Sequence, residues 1–199
     1  MPRSGGGRDM GLGDIGGPDI VFKRKYRWTL VIESPCGPEI PETVVKLASR
    51  PNLTIEETEI NFLHGKTWIP GKGTWETITV TFYDVVGVPG AGTSSLFAWL
   101  ATVYNFTDPV GLHQSSKRGS GAGSGGYAGV ATLQLYDGCG TTMERWTLEH
   151  VWPQAVNFGE LDYSSSEEAT IELTLRYTNV TYETVACGNV FPPCCAGCN

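Results

Sequence analysis

The segment VFKRKYRWTLVIE at 21–33 constrains this chain more than any other, because its side chains alternate. Phe22, Tyr26, Trp28, Leu30 and Ile32 fall on one face. Lys23, Lys25, Arg27, Thr29 and Glu33 fall on the other, with Arg24 the one charge on the apolar side. A period of two belongs to a half-buried β-strand, whose successive side chains point to opposite sides of a sheet. The same alternation returns at Trp75–Val85, where Thr77, Thr79 and Thr81 oppose Ile78, Val80 and Phe82. It returns again at Glu167–Asn179, where Ala169, Ile171, Leu173, Leu175 and Tyr177 oppose Thr170, Glu172, Thr174 and Arg176. Further extended segments are predicted near Val44–Ala48, Leu53–Phe62, Tyr127–Tyr136 and Thr141–Val151.

One segment has a different period. Thr93, Ser94 and Ser95 form an N-cap cluster, and Leu96, Phe97, Trp99, Leu100, Val103 and Tyr104 follow at helical spacing. Seven or eight strands with a single helix predict a mainly β domain, a sandwich or barrel with the helix packed on one side. The stretch LHGKTWIPGKGT at 63–74 is predicted to be a long loop on account of its glycines and Pro70. The glycine-rich residues 1–20 read as a flexible arm, 21–180 as the β domain, and 181–199 as a Cys/Pro-rich tail.

Charge and apolar content narrow the function classes. Fourteen Lys and Arg against 21 Asp and Glu give a net charge of −7, a poor balance for wrapping nucleic acid. The basic residues gather early (Arg3, Arg8, Lys23, Arg24, Lys25, Arg27, Lys46, Arg50, Lys66, Lys72), whereas acids dominate from Asp137 to Glu183. If these regions fold onto opposite faces, copies attract head to tail. No run approaches the ~20 apolar residues of a membrane-spanning helix. The N-terminus has no signal-peptide pattern, so synthesis in the cytosol without general secretion is expected.

Motifs for chemistry are scarce. The glycines at 121–126 spell GxGxxG but follow a helix and precede a strand, the wrong order for a dinucleotide site. His64, His113 and His150 lack metal-ligand spacing, and no GxSxG, HExxH or P-loop occurs. No catalytic residue, cofactor or metal is expected, and the chain reads as a non-enzyme.

Cysteine is more informative. Cys36 and Cys139 fall in loops, and Cys187, Cys194, Cys195 and Cys198 crowd the last residues. Cys195-x-x-Cys198 has zinc-ligand spacing, but no second CxxC or Cys/His pair stands at finger spacing. Disulfides are the preferred reading. A bond between the adjacent Cys194 and Cys195 would be strained, so they take different partners. A Pro- and Gly-rich tail is free to reach a neighbouring subunit, which favours intermolecular cross-links.

Several stretches together resemble the tail tube proteins of contractile-tailed bacteriophages: FKRKYRW (22–28), LASRP (47–51), IPGK (69–72), WETITVTFYD (75–84), Trp146–Pro153, FGELDY (158–163) and Glu168–Tyr177. The similarity runs from about 22 to 178, and its specificity lies in order and spacing. The arm, the 111–126 segment and the six cysteines have no counterpart in that pattern. The resemblance implies a structural virion protein: hexameric rings stacked into a tube inside a contractile sheath, with a related fold in the type VI secretion tube protein. Each subunit is then expected to lend strands to one continuous inner barrel through which DNA passes without specific binding. Sheath, baseplate and terminator proteins are the implied partners, and assembly takes place in the host bacterial cytoplasm.

A conduit for DNA needs few cations on its wall. Thr77, Thr79 and Thr81 are the first candidate lumen face and Thr170, Glu172 and Thr174 the second, with Arg176 an exception. The resemblance also makes His64, Lys66, Trp68, Ile69 and Lys72 the candidate ring-stacking loop. The alternative reading is an extracellular, disulfide-stapled β-sandwich that binds carbohydrate through Trp68 or Trp75.

Overall fold

The computed structural model describes residues 23–35, 39–90, 92–104, 106, 126–138, 140–164 and 166–184. Among them are nine strands and one α-helix. In chain order these are β1 (Trp28–Glu33), a 3-10 turn (Glu42–Val44), β2 (Val45–Ala48), β3 (Leu53–Phe62), β4 (Gly65–Trp75), β5 (Ile78–Tyr83), α1 (Thr93–Val103), β6 (Gly129–Tyr136), β7 (Thr142–Asn157), β8 (Thr170–Arg176) and β9 (Asn179–Thr184). The mainly β expectation with one flanking helix is met.

Strand β7 organises the fold. Along one side it pairs with β6, and along the other first with β9 and then with β8, all antiparallel. The strand order is β1-β6-β7-β8-β5-β2, with β9 beside β7. At the change of partner stands His150, the one non-glycine residue with positive φ among the described residues, at 57°. The register with β6 shifts here, between Gly129 and Val130. Such a bulge re-phases a strand: Leu148 and Val151 are both fully buried although three apart. Alternation through Trp146, Leu148, His150 and Trp152 puts His150 on one apolar face. The bulge instead hands the buried face to Val151 and Pro153.

Because β7 bends, its two halves belong to two layers that close over one core. Leu30, Ile32, Ala131 and Leu133 come from one layer; Val80, Phe82, Ile171 and Leu173 come from the other. Full burial of each large aliphatic or aromatic side chain is worth about 1.5–3 kcal/mol before entropy is counted. The parity predicted for β5 and β8 holds, with Ile78↔Leu175, Val80↔Leu173 and Phe82↔Ile171 in register and all buried.

Helix α1 buries Leu96 and Trp99, and the Trp99 indole N–H donates to the Tyr127 carbonyl at 3.0 Å. Its cap is not the Thr-Ser-Ser cluster. Gly92, at φ 82°, holds the N-cap position, and Asp84 at the end of β5 accepts from the Thr93 N–H (3.1 Å) and hydroxyl (2.9 Å). A carboxylate from a neighbouring strand thus satisfies the exposed donors of the first turn.

Three sequence expectations need correction. The first strand begins only at Trp28. Lys23–Arg27 turn instead, with the Arg27 N–H bonded to the Arg24 carbonyl, because Lys23 is drawn to the buried carboxylate of Glu144. The predicted loop at 63–74 is strand β4, paired with β3 from Leu53↔Trp75 to Phe62↔Gly65. Its glycines and proline are accommodated by a bulge: Pro70 stands opposite Glu57 beside the register shift, and a Cβ on Gly71 would lie 3.1 Å from the Glu56 carbonyl oxygen. Paired structure also continues beyond residue 180, because β9 lies against the first half of β7.

Candidate functional site

The β3–β4 hairpin stands apart from the core. Every residue of β3 is exposed, as is nearly all of β4. Leu63 and His64 form the tip, Lys66 pairs with Glu59 at 2.7 Å, and Lys72 is exposed beside the bulge. Trp68 and Ile69 do not share a face. Trp68 opposes Glu59 and Ile69 opposes Thr58, so the two side chains lie on opposite faces of the ribbon. Trp68 is 57% exposed and Ile69 48%. Ile60 and Phe62 join Ile69 on its face, while Leu53 and Ile55 share the other face with Trp68. A two-stranded ribbon is marginal alone in water, and this one carries exposed apolar groups on both faces.

The two candidate lumen faces are one surface. Thr79 is registered against Thr174, Thr81 against Glu172 and Tyr83 against Thr170. Leu47 on β2 extends the row at Thr81, and Asn157 on β7 extends it at Glu172. Thr77 precedes β5 rather than lying in it, and Arg176 opposes Trp152 at the end of the face. The result is a mixed sheet face, threonine-rich with Glu172, Tyr83, Leu47 and Asn157, whose cations are Arg176 at its end and Lys46 over the Tyr83 ring, and whose reverse side is the core.

Sequence reasoning missed a third feature, Glu144. Its side chain is 3% exposed, receives Lys23 Nζ at 2.6 Å, is ion-paired with Arg50 and accepts from the Tyr182 hydroxyl at 3.2 Å. Burial pushes the Glu144 carboxyl up, but the Lys23 hydrogen bond and the charges of Arg50 and Lys23 outweigh burial. The carboxyl ends below its ordinary value. This cluster ties the segment before β1, Arg50 just beyond β2 and Tyr182 of β9 to the start of β7. The available signal was an acid in phase with Trp146 and Leu148 on the apolar side of a predicted strand.

Other candidates are not brought together. His64 sits at the hairpin tip and His150 at the β7 bulge, while His113 lies outside the described residues. So do Cys36, Cys139, Cys187, Cys194, Cys195 and Cys198, and residues 121–125 of the glycine motif. Among the described residues no cluster of three or more His, Cys, Asp or Glu could hold a metal, and no helix is long and apolar enough to cross a membrane. Trp75 is half-buried with its ring 6.1 Å from that of Tyr177, which leaves Trp68 as the exposed member of the pair offered for carbohydrate.

No protein-family model matches the chain, and no curated protein does. Solved structures do match. A chain of the anti-feeding prophage baseplate, 6-fold symmetrised, superposes with a TM-score of 0.61 at 14% identity, covering 84% of this chain and 99% of that one. A chain of the PVC sheath/tube terminator, from an extracellular contractile injection system in its extended state, gives 0.61 at 18%, covering 83% and 99%. A chain of the PVC sheath-tube complex gives 0.60 at 18%, covering 88% and 99%. The fold is therefore shared over nearly the whole of those chains. The comparisons lend no support to the carbohydrate-binding alternative.

Proposed function

We propose that this protein is the inner-tube subunit of a contractile injection apparatus, a structural component without catalysis. The observation that carries the reading is the β3–β4 hairpin, apolar on both faces and projecting from a complete core, on a fold shared with sheath-tube and baseplate assemblies. A ribbon of this kind gains stability when neighbouring copies cover it. Rings close through heterologous contacts and then stack head to tail. The hairpin, through Trp68 and Ile69, is the stacking element in this reading, with His64, Lys66 and Lys72 at its polar margins.

In the finer form of the proposal, six copies make a ring, sheath and baseplate proteins surround and anchor the tube, and the particle is a phage tail that delivers DNA. The 6-fold symmetrised neighbour supports the ring size. The Thr79, Thr81, Thr170, Glu172 and Thr174 face is assigned to the lumen. It offers DNA no row of cations, so each passing phosphate finds little to hold it. Barrels of ~16–18 strands already enclose water, and one contributed to by six subunits is wider.

Negative-stain microscopy of the purified protein tests this. Rings with six-fold symmetry and stacked tubes are expected; a compact, solitary monomer at high concentration under both redox conditions would contradict it. From the sequence we also infer that the cysteine-rich tail cross-links subunits. Assembled particles should run as multimers on non-reducing gels and as single chains with reductant, and identical migration would reject the cross-link.

A further inference from the structure

We propose that the Arg50–Glu144 ion pair fixes the direction in which the β3–β4 hairpin projects, so that both are positioning residues for stacking. This rests on the tube reading above, in which the hairpin is the stacking element.

The hairpin is the outward continuation of the β2–β5 ladder. Leu47↔Thr81 and Ala48↔Val80 lie on the same register as Leu53↔Trp75, Thr54↔Thr74 and Ile55↔Gly73. Across the interval the Ser49 N–H donates to the Thr79 carbonyl and the Glu76 N–H to the Asn52 carbonyl, each at 2.9 Å. Between these two bonds the ladder is incomplete, because Pro51, level with Thr77 in this register, has no N–H to give. Support from a third strand ends here too, since β8 follows β5 only as far as Ile78↔Leu175. From this joint outward the ribbon has two strands and nothing beside them to stiffen it.

Side chains at the joint supply what the ladder lacks. On the β4 side the Trp75 ring leans on the buried Tyr177, and Glu76 accepts from the Thr54 hydroxyl at 2.8 Å. On the β3 side stands Arg50, ion-paired with Glu144. Arg50 follows β2, in the layer of β5 and β8, whereas Glu144 belongs to the half of β7 that pairs with β6 and β9. The pair therefore ties the root of the hairpin to the opposite layer. Glu144 is a firm post for this tie, because Lys23 Nζ at 2.6 Å and the Tyr182 hydroxyl at 3.2 Å hold it independently of Arg50. Arg50 itself is half-exposed, so its loss leaves the carboxylate its other donors and costs the fold little, while the joint loses its tie.

The lever is long. Strand β3 has 10 residues, so at ~3.3 Å per residue its tip lies roughly 33 Å from the joint, and a swing of about 10° moves it by about 6 Å. That exceeds the ~4.7 Å between paired strands and misplaces the ribbon on any neighbour it stacks against. A hairpin already held in its bound direction also spends less on ordering when copies associate.

A distance measurement tests the clamp. Spin labels carried on unnatural amino acids replace Leu63 at the hairpin tip and Glu172 on β8, both exposed, which leaves the cysteines untouched. Labelled chains are diluted into an excess of unlabelled protein, so that only distances within one chain are read. Stacking is followed by sedimentation on unlabelled protein, and circular dichroism confirms the fold of each variant. Wild type is expected to give one narrow distance. Arg50→Gln and Glu144→Gln are expected to shift or broaden it by about 5 Å or more and to lose about tenfold or more of the stacked species. Arg50→Lys, which keeps the cation, is expected to stay close to wild type. An unchanged distance in both Gln variants would overturn the clamp and leave the tube reading standing, because a merely stabilising pair moves the unfolding midpoint and not the distance. A shifted distance with stacking unchanged would overturn the link to stacking. A wild type that never stacks would overturn the tube reading, with the distance still deciding the clamp.

Discussion

The β5–β8 pair and the β3–β4 hairpin use the same kinds of residue to opposite ends. In β5 and β8, Ile78, Val80, Phe82, Ile171, Leu173 and Leu175 all point one way and are buried, while Thr79, Thr81, Glu172 and Thr174 point the other. In β3 and β4 the apolar groups are divided between the faces, Leu53, Ile55 and Trp68 on one and Ile60, Phe62 and Ile69 on the other. One ribbon completes its burial within the chain. The other has no side to give to its own core without exposing the opposite one. Strand propensity makes both ribbons, but the distribution of apolar side chains decides whether a ribbon can complete its burial within the chain.

Substitutions in the two ribbons should separate fold stability from association. Phe82→Ala carries the largest effect on the fold: loss of a fully buried ring should cost about 3–5 kcal/mol in chemical denaturation. Glu144→Ala comes next. It leaves Lys23 and Arg50 without their carboxylate, but both are half-exposed and regain water, so about 1–3 kcal/mol is expected. The same site sets a pH response. The folded carboxyl binds its proton less readily than the unfolded one, so its contribution is complete above the ordinary value of about 4.3 and is lost as pH falls through the lowered folded value. Thermal melts from neutral to acid pH should show a shallower decline in Glu144→Gln than in wild type. Asp84→Ala removes the carboxylate at the start of α1 and should cost about 1 kcal/mol, read by the same denaturation. The smallest effect on the fold is expected from Trp68→Ala with Ile69→Ala, about 0.5 kcal/mol or less for exposed positions.

Much of the core was legible because its strands alternate cleanly. Leu30 and Ile32, the β5 set and the β8 set follow from parity alone, and β3 falls on the predicted Leu53–Phe62. What stayed hidden depended on partners distant in sequence. Strand β4 looks like a loop because Gly65, Pro70, Gly71 and Gly73 are breakers until a bulge and a facing β3 accommodate them. The bend at His150 breaks the alternation that would otherwise extend through β7. Asp84 caps a helix that begins several residues later, in place of the local threonine and serines. Glu144 draws its cations from 121 and 94 residues away, a pairing no local pattern encodes. The lumen candidates were separate in sequence and became one face through the β5–β8 register. The ring-stacking candidates changed from a loop to a ribbon with two faces.

Sedimentation velocity of wild type beside Trp68→Ser/Ile69→Ser, at matched concentration and with the fold of each confirmed, tests most directly whether the hairpin is finished only by neighbouring copies. Stacked, high-mass species are expected for wild type and nothing beyond a single ring for the variant, with unfolding midpoints nearly unchanged. Stacks of equal size and abundance in both proteins would contradict it.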